Sequence, residues 1–235
     1  MMLGKEMTLM LDSRLSLALE MYDTVETGAD IGTDHAHLPI ALLRSGKCGR
    51  MILTDLSPDA LQNARENIGR ARLTDRVDFR LGDGLRPLDE PCGMVSVLGM
   101  GGRTIRDILL SAPERLRGAS LLLSAHTDLP LVREAVTRIG YRISAEHPCY
   151  DAGRYYLLIR AVPGEEALTP REIRLGKALF DSSSPVLGGY LRRRRRVLEA
   201  RLEGLRRAGD LHADEVDELE EDIRILEAEE KRVHE

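Results

Sequence analysis

Between residues 27 and 162, short apolar runs alternate with amphipathic stretches, and this alternation constrains the fold more than any other feature of the chain. The runs lie at 29–31, 51–54, 77–81, 94–98 and 120–123, with helical segments between them near 36–45, 58–71, 102–110 and 129–139. Strand, helix, strand at this spacing specifies βαβ units, hence a parallel sheet covered by helices on both faces. Ser57-Pro58 supplies an N-cap followed by a proline at the first helical position. Gly140 stands just past a helical run, where a left-handed C′ residue belongs. The pattern then changes. Two extended runs, 142–147 and 154–161, flank Asp151-Ala152-Gly153, the signature of a β-hairpin. The expected fold class is α/β, a Rossmann-like and mostly parallel sheet whose last strand is antiparallel.

Composition narrows the options. The 235 residues are 43% hydrophobic and 31% charged, enough for one full α/β domain and a smaller appendage. Aromatics make up only 3%, with no Trp, so the core must be aliphatic. That scarcity argues against RNA modules built on several stacking aromatics. No apolar run approaches the roughly 20 residues of a membrane helix. The first six residues, Met1-Met2-Leu3-Gly4-Lys5-Glu6, lack a secretory apolar region. Cys48, Cys92 and Cys149 are scattered without CxxC pairing, which argues against a disulfide framework and a zinc ribbon; a reduced, cytoplasmic protein is expected. The formal net charge is −5, so nucleic-acid binding requires a local basic patch.

The appendage supplies one. Residues 162–166 read as a linker, which divides the chain into a Rossmann-like domain, 1–162, and a helical domain, 163–235. From 171 to 209 there are 11 Lys or Arg against 4 Asp or Glu; from 210 to 235 there are 3 against 12. Leu191, Leu198, Leu202 and Leu205 fall at heptad spacing, as do Val216, Leu219, Ile223, Leu226 and Val233. With Gly209-Asp210 between them, the two runs read as an antiparallel coiled-coil hairpin. Arg192, Arg193, Arg196, Arg206 and Arg207 are the candidate RNA contacts. Five consecutive arginines cover all sides of a helix, so a solvated face neutralised by the acidic partner is the competing reading.

The chemistry concentrates at predicted strand ends. The first strand runs into Asp30-Ile31-Gly32-Thr33-Asp34-His35. Only Gly32 remains of a GxGxxG pattern, and the acid at Asp34 disfavours a pyrophosphate but suits a cation. S-adenosylmethionine (SAM) carries an ammonium and a sulfonium; the bland alternative makes Asp34 a helix cap. Asp55 and Leu56 follow the second strand, where an acid about 20 residues past the glycine turn can hold ribose hydroxyls. Gly82-Asp83-Gly84 follows the third strand, where the acid can reach an adenine amino group or form an ordinary turn. Gly99-Met100-Gly101-Gly102 follows the fourth and implies unusual backbone angles or close approach of a ligand. His35 and His37 with Asp34 lack the further ligands a metal needs, and no metal is expected.

A parallel sheet ending in a hairpin is the shape of class I methyltransferases. The run Asp30 to Pro39, then Gly82-Asp83-Gly84-Leu85, then Gly99-Met100-Gly101-Gly102 with Ile105 and Ile108, resembles the TrmK family of bacterial tRNA (adenine-N1)-methyltransferases that act on adenosine 22. The resemblance extends to Pro185-Val186-Leu187 ahead of the basic helix. It implies SAM as cofactor, tRNA as partner, a helical hairpin that helps hold the tRNA, and Asp30, Gly32, Asp34, His35, Asp55, Leu56, Gly82, Asp83, Gly84, Gly99, Met100 and Gly101 around the cofactor. After the fifth strand the family usually carries Gln-Pro-Asn; this chain reads Ser124-Ala125-His126 at the expected acceptor pocket. Asp34 is the candidate for receiving the proton or charge of the methylated base, with His35 and His126 behind it. The tyrosines Tyr150, Tyr155 and Tyr156 read as hairpin packing rather than as a base-stacking platform.

Overall fold

A computed structural model describes residues 11–208 and 213–234. Its centre is a seven-stranded sheet in the order β3-β2-β1-β4-β5-β7-β6. The strands are β1 (Val25–Ile31), β2 (Cys48–Asp55), β3 (Val77–Leu81), β4 (Met94–Met100), β5 (Ser120–Ala125), β6 (Tyr141–Asp151) and β7 (Arg154–Pro163). The first five are parallel, and β7 lies antiparallel between β5 and β6. Helices α2 (His37–Arg44), α3 (Pro58–Arg70), α4 (Gly102–Ser111) and α5 (Leu129–Arg138) cross over between parallel strands or lead into the hairpin. All four lie within a residue or two of their predicted places.

Local chemistry accounts for the boundaries. Ser57 Oγ accepts from the Ala60 N–H and Pro58 opens α3. Gly140 ends α5 at φ +78°. Ala152 (φ +45°) and Gly153 (φ +83°) both take left-handed angles, the two-residue turn that matches the twist of a tight hairpin. Completely buried Ile52, Leu53, Val95, Val97, Leu121 and Leu123 supply the aliphatic core that the sequence demands. The three thiols are free and buried, and burial pushes each up to about 11.

One helix escaped the sequence reading. α1 (Ser13–Met21) is capped by Asp12, whose carboxylate accepts from the Leu15 N–H at 2.7 Å. It packs beside α2 and the hairpin. The sequence signal is present in Asp12-Ser13 ahead of Leu15, Ala18 and Leu19, but it precedes the strand–helix alternation.

Beyond the sheet come α6 (Pro170–Leu175), α7 (Leu187–Ala208) and α8 (Ala213–His234). Thr169 and Glu172 form a full capping box at the start of α6. Helices α7 and α8 pack against one another as a hairpin, with Leu202, Leu219 and Leu226 buried. The predicted turn at Gly209-Asp210 lies outside the described residues. Leu187, Tyr190, Leu191 and Leu226 join the same apolar core as β4 and β5, so the helical hairpin is rooted in the core of the sheet domain. A fully buried ion pair strengthens this root. Arg133 of α5 donates from Nε to Glu146 of β6 at 2.8 Å and from Nη1 to the Ile173 carbonyl of α6 at 3.0 Å. Its Nη2 lies 2.8 Å from the same glutamate oxygen but is not aligned as a hydrogen bond. Among the described residues, no helix is long and apolar enough to cross a membrane.

Candidate active site

The parallel register sets the ends of β1, β2 and β3 side by side, with Ile31 opposite Thr54 and Asp55 opposite Leu81. The turn after β1 depends on Gly32, at φ +74°. The N–H groups of Gly32 and Thr33 both donate to the Thr54 carbonyl, at 2.8 and 3.1 Å, and so tie the turn to β2. A Cβ at position 32 would fall onto the terminal methyl of Met100, so side chain and glycine fit only as a pair.

Beneath this turn Asp30 is 9% exposed. It accepts from Ser96 Oγ at 2.6 Å and Thr33 Oγ1 at 2.7 Å. Burial raises its carboxyl pKa above the ordinary value, against the lowering effect of these two hydroxyls. A cleft of about 440 Å³ opens above it, lined by Asp30, Gly32, Asp34, Gly99, His126 and Tyr156 among others. Helix α1 closes one side: Arg14 lines the cleft and lies 5.4 Å from the Tyr156 ring centre. The sequence reading did not single out Arg14 and took Tyr156 for hairpin packing alone, because each reaches the cleft through tertiary packing.

Asp34 is half exposed beside this cleft. One carboxylate oxygen accepts from Asn63 Nδ2 at 3.1 Å and the other lies 3.1 Å from His35 Nε2. It does not cap α2. That helix begins from Ala36 in a left-handed conformation with no side-chain cap, which removes the bland alternative for Asp34. The rings of His35 and His37 stack at 5.6 Å. Among the described residues, no group of three or more His, Cys, Asp or Glu is arranged to hold a metal ion.

Asp55 has one oxygen engaged by the Ser57 N–H at 2.7 Å, an intraloop bond that fixes the carboxylate while leaving its other oxygen unassigned. Two leucines accompany it at the sheet edge: Leu56 is 68% and Leu81 is 60% exposed. Large apolar side chains held open at strand ends suit a flat apolar ligand group. Asp83 is half exposed, 3.8 Å from Arg86. Gly84 has φ +54°, whereas a Cβ at Gly82 would meet Pro87 Cγ at 2.6 Å. The glycines around Met100 also divide their duties. Gly99 (φ +79°) lies at a register shift between β4 and β5. Gly102 is required by the protein's own backbone, because a Cβ there would lie 2.8 Å from the Asp128 carbonyl carbon. Gly101 meets neither demand: its backbone is extended and its nearest neighbour is Thr127 Oγ1 at 3.6 Å.

Buried Ser124 and Ala125 end β5, leaving exposed His126 as the member of that triplet at the cleft rim. The arginine-rich helix is mostly committed internally. Arg192 and Arg195 both reach Glu230, at 2.6 and 3.2 Å. Arg194 donates to the carbonyls of Leu175 and Arg174. Arg206 pairs with Glu220 at 2.6 Å, and Arg207 pairs with Glu203 one turn back. Arg193 and Arg196 are exposed and have no carboxylate partner among the described residues. The five predicted contacts thus separate into two uncommitted arginines and three that already hold acids.

Residues 11–159, more than half of the chain, match the family model described as a methyltransferase domain. The tRNA (adenine(22)-N(1))-methyltransferase of Bacillus subtilis (strain 168) is 26% identical over 159 residues, 67% of each chain. A crystal structure from Streptococcus agalactiae, assigned to the NADB-Rossmann superfamily, is 27% identical with a TM-score of 0.82 and covers 97% of this chain and 99% of its own. A candidate tRNA (m1A22) methyltransferase from Streptococcus pneumoniae, solved with S-adenosyl-L-methionine, is 26% identical with a TM-score of 0.79 over 91% of this chain and all of its own. The strand order, the acidic sheet edge and the matched residues agree, and the chain belongs to the methyltransferase-domain family.

Proposed function

We propose that this chain is a SAM-dependent methyltransferase acting on N1 of an adenosine in tRNA, at position 22. The carrying observation is the cleft in which buried Asp30 and half-exposed Asp34 meet the Gly32 turn at the carboxyl edge of parallel strands. That edge is where open α/β sheets bind ligands. The tRNA relative from B. subtilis and the SAM-bound relative from S. pneumoniae support the substrate and the cofactor.

The residues fit such a cofactor by their chemistry. The acidic side chains of Asp30 and Asp34 in the cleft lining would suit an ammonium, the uncommitted oxygen of Asp55 could accept from ribose hydroxyls, and Leu56 and Leu81 would offer apolar cover for a base. Asp83 can accept from an exocyclic amine at the same edge. When bound, SAM supplies a methyl group on a positively charged sulfur. Adenine N1 brings its own lone pair, so no base need activate it and alignment carries much of the rate. The methylated ring is cationic until an N6 proton leaves. Asp34 stabilises that charge or takes the proton, with its carboxylate oriented by Asn63. Because N1 lies on the Watson–Crick edge, the adenine must be unpaired first. Residues 1–162 carry this chemistry and 163–235, as a coiled-coil hairpin, help hold the tRNA in the cytoplasm.

Purified protein with methyl-labelled SAM and unmodified tRNA tests the reading. Label should enter tRNA, and reverse transcription should stop at adenosine 22. Label at another nucleotide would reassign the position, with His126 the first residue to re-examine; no label in bulk tRNA would overturn the function.

A further inference from the structure

A second cavity, of about 510 Å³, adjoins the cleft at His126, which lines both. It lies where the tip of the β6–β7 hairpin meets the first turn of α7, and Tyr150, Arg154, Tyr155, Tyr190 and Arg193 line it with His126. Three of the chain's few aromatic rings converge there. Tyr150 and Tyr155 face each other across the hairpin with ring centres 4.7 Å apart, and Tyr155 meets Tyr190 edge-on at 6.0 Å. The Tyr155 hydroxyl rests on Gly189, where any Cβ would collide with it.

Hairpin packing explains Tyr155 and buried Tyr190. It leaves Tyr150 only partly covered: the ring packs on Tyr155, yet the residue stays 47% exposed in the lining of the cavity. It does not explain the arginines. Arg192, Arg194, Arg195, Arg206 and Arg207 are bonded to acids or carbonyls, whereas Arg154 and Arg193 are exposed with no carboxylate partner among the described residues. An open aromatic face next to two uncommitted guanidinium groups is the donor set that takes an unstacked base and its phosphate.

We propose that this cavity seats one unpaired nucleotide of the RNA, its base on Tyr150 and its phosphate between Arg154 and Arg193. The proposal rests on the tRNA reading above and deepens it. Through His126 the seat adjoins the methyl-transfer cleft, so a nucleotide held here positions the RNA strand entering it.

Equilibrium binding of unmodified tRNA to the full-length protein tests the seat. Tyr150→Ala should weaken tRNA binding by between about 5-fold and 150-fold, the span measured for one base–aromatic stack, and Tyr150→Phe should retain most of the affinity. Arg193→Gln, at a surface position where folding is not at risk, should weaken binding and flatten the dependence of log affinity on log salt by about 0.7. SAM affinity should hold in all three, which serves as the folding control. If wild-type protein methylates tRNA while Tyr150→Ala and Arg193→Gln bind it as wild type does, the seat is wrong and the function stands. If wild type neither binds nor methylates tRNA, the function itself falls and takes the seat with it.

Discussion

Asp55 has one oxygen committed to the Ser57 N–H and one to offer, and this asymmetry makes it a sharp probe. Asp55→Ala removes a charge-assisted acceptor from a ligand's hydroxyls, so SAM affinity should fall by about 1.5–3 kcal/mol, measured by calorimetry on folded protein. Unchanged affinity would remove Asp55 from the site. Asp34 asks for a different readout. It is held by Asn63 and His35 rather than by a helix terminus, so Asp34→Asn keeps its shape and removes only charge. Methyl transfer at saturating SAM should drop by about 10²-fold, within the range of acid–base contributions. A near wild-type rate would restrict Asp34 to binding. Both residues were visible in the sequence because Asp55 ends β2 and Asp34 lies in the turn that follows β1, at the edge where a parallel sheet presents its ligands. Arg14 and Tyr156 were not legible as cleft residues, since a pre-sheet helix and a late hairpin bring them to the cleft only after packing.

At the scale of elements, legibility follows the same logic. The β1–α5 stretch was readable because its hydrophobic period alternates between strand and helix at every boundary, with Ser57, Pro58 and Gly140 as punctuation. The joint between sheet and hairpin was not, because Arg133 and Glu146 look like surface charges on an amphipathic helix and an alternating strand. They are instead a fully buried pair, and Gly176 (φ +103°) is held against both, with a Cβ there landing 2.6 Å from Glu146 Oε2. Arg133→Met should therefore cost about 3–5 kcal/mol in denaturant unfolding, since it strands Glu146 without a counter-charge. Adding Glu146→Leu should recover a large part of that loss, because replacing both members removes the unpaired charge. A double variant no more stable than the single one would mean that α6, held through the Ile173 carbonyl, depends on the guanidinium itself.

Across the whole molecule the question is how a chain of net charge −5 attracts a polyanion. The basic run looked like a continuous patch in the sequence, but the fold lays an acidic helix along it. Glu230 and Glu220 on α8 face Arg192, Arg195 and Arg206 on α7, so the long-range field of the basic helix is largely cancelled by its own partner. Of these, the Arg206–Glu220 pair is exposed on both sides, and such a pair adds little stability, about 0–1 kcal/mol, so it can be opened at small cost. Neutralising the acid should then act on RNA binding rather than on folding. Glu220→Gln frees Arg206 while leaving the buried seam of Leu202, Leu219 and Leu226 intact. If this face of the hairpin lies along RNA, the variant should bind tRNA more tightly at low salt, and its salt slope should steepen by up to about 0.9 for each further phosphate that it neutralises. Arg206→Gln in the wild-type background should change much less, because that guanidinium is already occupied. Should Glu220→Gln leave both affinity and slope unchanged, the outer half of the hairpin would lie away from the RNA, and tRNA binding would be confined to the root of α7 around Arg193 and Arg196.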